Sequence, residues 1–79
     1  MTVSVSEAQI VFAKAMIDAG FYLLTVFEQL ESDLKRFSDP GVDPMIEASR
    51  KAIIRQKRLI KSFKGTLETA IRLQEYSNG

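Results

Sequence analysis

Between Ile10 and Phe27 the chain carries only two charged side chains, Lys14 and Asp18, and nearly every other residue there is apolar. A helix with one face in water keeps a polar half, so a stretch this apolar either crosses a bilayer or packs against neighbours on several sides. A span takes about 20 mostly apolar residues, and a Lys or Asp near its centre costs roughly 2.5–3.5 kcal/mol on insertion scales. With both charges inside the run, the expectation is a packed helix and no transmembrane span.

Counting from Ala13 at the coiled-coil period gives Met16, Gly20, Leu23, Phe27, Leu30, Leu34 and Phe37 as a seam. Two further apolar rows flank it, Ile10, Ile17 and Leu24 on one side and Phe12, Ala19 and Val26 on the other. The polar stripe that remains is narrow and holds Glu7, Lys14, Asp18, Thr25, Glu28, Ser32 and Lys35, interrupted by Phe21. Ser6 with Gln9 reads as a capping box, and Val5 with Ile10 as a hydrophobic staple. These signals start the helix at Glu7, after a frayed lead-in over Thr2–Val5, and the seam carries it to about Phe37. Ala13, Ala15, Ala19 and Gly20 would let a second backbone come close.

Ser38-Asp39-Pro40-Gly41 is a turn signal, since Pro disfavours helix at the preceding residue and Gly accepts unusual backbone angles. Asp43 then reads as an N-cap with Pro44 at the first helical position. A turn over 38–43 is short enough to join antiparallel neighbours. The second helix, about 44–76, has one seam: Ile46, Ser49, Ile53, Gln56, Ile60, Phe63, Leu67, Ala70 and Gln74. Met45, Ala52, Leu59, Thr66 and Leu73 widen it on one side. The seam passes Gly65 in phase, so the helix is expected to be unbroken there.

At 79 residues the chain has room for one domain, and a core of that size alone leaves only about 3–5 kcal/mol of stability. It has no Cys and no His, which removes disulfides, the usual zinc ligands, the Ser-His and Cys-His nucleophile pairs and the imidazole base. The four glycines fit no phosphate-binding loop. Glu28, Glu31 and Asp33 read as a solvated face and not as a carboxylate metal site. No enzyme activity and no cofactor is expected. The N-terminus lacks the basic region of a secretory signal, and the expected location is cytoplasmic.

Charge is divided along the chain. Residues 1–43 hold three basic and seven acidic side chains, and residues 44–79 hold eight basic and three acidic ones, leaving a net +1. Arg50, Lys51, Arg55, Lys57, Arg58, Lys61 and Lys64 follow one another with no acid between Glu47 and Glu68. They are candidate anion-binding residues, or a solvated face paired with the acids near the turn.

The expected architecture is all-α: one domain over 1–79, an antiparallel helical hairpin that pairs as a homodimer into a four-helix bundle. The second helix can be satisfied by the first, whereas the first has apolar rows to spare. Ile10, Ile17, Phe21, Leu24 and Val26 are the expected interface, with Phe27 and Leu30 inside the hairpin. The corresponding function is protein–protein interaction: an adaptor, chaperone-like or assembly protein. Alternatives are a small nucleic-acid-binding regulator that uses the basic face, and a subunit of a heteromeric complex. Two helices broken at Ser38-Asp39-Pro40 in so short a chain faintly resemble the needle subunits of type III secretion systems and their small hairpin chaperones. That resemblance implies polymerisation through the hairpin, although the ending Glu75-Tyr76-Ser77-Asn78-Gly79 departs from the apolar C-terminus of needle subunits.

Overall fold

A computed structural model of the chain describes residues 4–78, and side chains as far as residue 76. Two helices, α1 (Val5–Leu34) and α2 (Asp43–Asn78), pack against each other and are joined through a 3-10 turn at Pro40–Val42. As residue numbers rise on α2 they fall on α1: Arg50 meets Glu31, and Phe63 meets Phe12. The fold is therefore an all-helical antiparallel hairpin, with no strand among the described residues.

The helix ends depart from the sequence reading by a few residues at each terminus. α1 is capped by Ser4, whose hydroxyl accepts from the Glu7 amide at 3.2 Å. Ser6 is thus inside the helix, and the Ser6–Gln9 box and the Val5–Ile10 staple do not form. Thr2 and Val3 of the expected lead-in lie outside the described residues. At its far end α1 stops at Leu34, because the chain tightens to i→i+3 bonding: Arg36 N–H donates to the Asp33 carbonyl and Phe37 N–H to the Leu34 carbonyl. Phe37 consequently leaves the seam and stands exposed.

Asp39 is extended ahead of Pro40, as sterics before proline require, and its carboxylate accepts from the Gly41 amide at 2.8 Å. It takes the capping role that the sequence reading gave to Asp43, which already has helical angles. α2 opens at Asp43 and continues through Gly65 without a break to Asn78, two residues beyond the expected end.

The α2 seam is as read: Ile46, Ser49, Ile53, Gln56, Ile60, Phe63, Leu67, Ala70 and Gln74 are all buried or half-buried. Ser49 satisfies its buried hydroxyl by donating to the Ile46 carbonyl at 2.7 Å. Residues Ala13, Gly20, Phe27 and Leu34 of α1 also face the partner helix, but the intervening positions differ from expectation. Ile10, Ile17, Leu24 and Glu31 are half-buried, while Met16, Leu23 and Leu30 are exposed. α1 is therefore rotated so that α2 covers one edge of its apolar sector and leaves the other bare. The close approach at Gly20, where a β-carbon would stand 2.7 Å from Ile60 Cγ1, belongs to this rotation.

So thin a structure hides little. Among the described residues the buried apolar side chains are Ala13, Ile60 and Ala70, and no large side chain is fully enclosed. The backbone measures 60 × 20 × 12 Å, one helix layer thick, with a radius of gyration of 17.9 Å. A compact chain of this length would have about 11.6 Å.

Candidate interaction surfaces

Residues seven apart on an α-helix share a face to within about 20°, so each surface of the hairpin can be built from its rows. On one flank Met16, Leu23 and Leu30 of α1 run beside Met45, Ala52 and Leu59 of α2. Leu30 is 45% exposed and Met45 58% exposed, and the two rows meet in an open groove whose floor includes Phe27, Leu34, Ala48 and Ser49. Among the described residues, no charged side chain lines that groove. Around the outside of α1 the apolar surface continues through Val26 and Tyr22.

The opposite flank is charged. Glu31 Oε1 lies 2.7 Å from Lys35 Nζ and 3.8 Å from Arg50 Nε. The hydrogen bond from Lys35 holds the Glu31 carboxyl below its usual range; desolvation opposes it, and the fields of Lys35 and Arg50 add to the lowering. Lys57 faces Glu28 and Glu31 across a shallow depression. Further along, Lys64 Nζ sits 5.1 Å from the centre of the Phe21 ring, a cation–π distance. Lys61 and Leu24 share that hollow.

The five residues expected at the interface do not form one surface. Ile10, Ile17 and Leu24 are half-buried within the hairpin seam. Phe21, 46% exposed, belongs to the charged flank, whereas Val26, 44% exposed, faces away on the apolar side. Leu30, expected inside the hairpin with Phe27, lies on the bare flank instead. The seam read from the sequence puts Met16, Leu23 and Leu30 against α2; their seven-residue recurrence is visible there, but the apolar sector is too broad to show which edge α2 takes.

The seven basic residues also divide. Arg50, Lys57, Lys61 and Lys64 border the hairpin seam on the charged flank. Lys51, Arg55 and Arg58 occupy the back of α2, around an exposed Ile54.

α1 is also long and apolar enough, by length and composition, to cross a membrane. The chain matches no family model, no curated protein and no solved structure.

Proposed function

We propose that this chain is a self-associating interaction module, in which two hairpins stack their apolar flanks to complete a four-helix bundle that serves as an assembly or adaptor element. One observation carries the reading: α1–α2 packing leaves the Met16, Leu23 and Leu30 row of α1 exposed beside Met45 and Leu59 of α2, while the other exposed apolar side chains, such as Phe21 and Ile54, stand among charges. The chain exposes 6235 Å², against about 4,800 Å² for a compact monomer of 8.9 kDa. The excess of about 1,400 Å² exceeds the roughly 800 Å² per partner of a standard interface. A single helix layer has no second layer to bury its face against, and a second copy supplies one of matching shape and chemistry.

The test is a charge placed at the centre of the flank. Leu23→Asp should weaken dimerisation at least about 100-fold, because an unpaired carboxylate would have to be buried. Val11→Asp, at an exposed position on the polar side of α1, should leave the dimer intact. Equal masses for both variants and the parent would refute the reading.

A second reading follows from the length of α1, which could lie in a bilayer. It would have to bury Lys14 and Asp18 in hydrocarbon and give up the Arg50–Glu31 contact. Flotation of the purified chain with neutral lipid vesicles would favour it over the bundle.

A further inference from the structure

The back of α2 presents a second surface that self-association does not use. We propose that it binds the phosphate backbone of double-stranded nucleic acid through Lys51, Arg55 and Arg58, with Gly65 leaving room for the duplex to come close. The three cations follow one another at i, i+4 and i+7 on one exposed face. Unlike Arg50, none of them lies within ion-pair distance of a carboxylate among the described residues. Over those seven residues a helix rises about 10 Å, the axial length of about three phosphate steps on one strand.

Gly65 is the independent observation. It continues the seven-residue row of Lys51 and Arg58 toward Arg72. Glycine weakens a helix interior, so a reason for it is sought. At Gly20 the reason is the approach of Ile60. At Gly65 there is none among the described residues: its backbone angle is ordinary, and an added β-carbon would meet nothing within 4 Å. The missing side chain at Gly65, between exposed Ser62 and Thr69, suits close approach by something outside the hairpin.

The composition of this face decides the class of partner. Its apolar side chain is Ile54, and it carries no aromatic ring between Lys51 and Arg72 except Phe63, which belongs to the seam. A bilayer-seated helix needs a broad apolar face to insert, and a protein partner needs an apolar centre to its interface. Single strands are held by stacking on aromatic rings. A duplex backbone asks for cations and little else.

The test is anisotropy of a labelled 24-base-pair random-sequence DNA duplex, titrated with the full chain from about 25 to 200 mM salt. Neutralising three or four phosphates gives a slope of log K against log salt of about −3 to −4. Lys51→Gln, Arg55→Gln and Arg58→Gln combined should lower low-salt affinity at least about tenfold and flatten the slope by about 2 to 3. Gly65→Glu should lower affinity at least about fivefold, while Thr25→Glu, the same charge change on α1, should change it less than about twofold. Because position 65 faces open space, this pair carries the test even if the triple variant folds poorly. No binding at 25 mM salt, equal binding by Gly65→Glu and Thr25→Glu, or binding to phosphatidylserine vesicles but not to the duplex would each overturn the proposal.

Discussion

A β-carbon at position 20 would stand 2.7 Å from Cγ1 of Ile60 and 3.1 Å from Nε2 of Gln56, so the helices meet here at a distance that only glycine permits. Ile60 is buried, and the atom in question is near its branch point, so it has little freedom to retreat. Overpacking of this kind costs about 1–3 kcal/mol, against about 1 kcal/mol gained in helix propensity. Gly20→Ala should therefore lower stability by roughly 1 kcal/mol, lowering the urea midpoint. Gly65→Ala, with open space before it, should raise stability by about 1 kcal/mol. Shifts in the same direction for both would show that the close approach at Gly20 does not exist.

The connection makes a similar paired prediction. Asp39 accepts from the Gly41 amide at 2.8 Å, and losing a capping acceptor costs about 1 kcal/mol. Asp39→Ala should show that loss and Asp39→Asn should recover most of it. Asp43→Ala removes only a carboxylate from the first turn of α2, worth about 0.3–1 kcal/mol through the helix dipole. A larger effect at Asp43 than at Asp39 would restore Asp43 as the true cap.

Acid should loosen the charged flank. The Glu31 carboxyl titrates below its ordinary value of 4.5 in the folded chain, chiefly through its hydrogen bond with Lys35. A depressed carboxylate binds fewer protons folded than unfolded, so its contribution is fully present above that ordinary value and is lost as pH falls through the lowered one. Thermal melts of the parent from pH 6 down to pH 3 should show a decline that Glu31→Gln reduces. Its partners Lys35 and Arg50 are half exposed, so the difference should be modest. Identical pH profiles would show that the pairing with Lys35 and Arg50 contributes nothing.

What could be read from the sequence differs between the two helices for a physical reason. α2 has one apolar stripe, so its nine seam residues could face only one way, and they do. α1 has an apolar sector too wide for one neighbour. Ala13, Gly20, Phe27 and Leu34 are shared by two alternative stripes, and periodicity cannot choose between Met16, Leu23, Leu30 and Ile10, Ile17, Leu24. In the structure α2 lies on the Ile10, Ile17 and Leu24 edge, where Glu31 with Arg50 and Phe21 with Lys64 add contacts that the apolar pattern does not contain. The caps read from the sequence, Ser6 and Asp43, are displaced to Ser4 and Asp39, residues of the same capping chemistry a few positions earlier. The basic run read as one face is divided by the 100° step of the helix between a flank and a back.

The central claim is that a second hairpin covers the Met16–Leu23–Leu30 flank. Light scattering coupled to size exclusion, run from about 5 to 500 μM protein, tests it most directly. A dimer predicts twice the 8.9 kDa chain mass over most of that range, with dissociation on Leu23→Asp. A soluble 8.9 kDa species at the highest concentration would contradict the account.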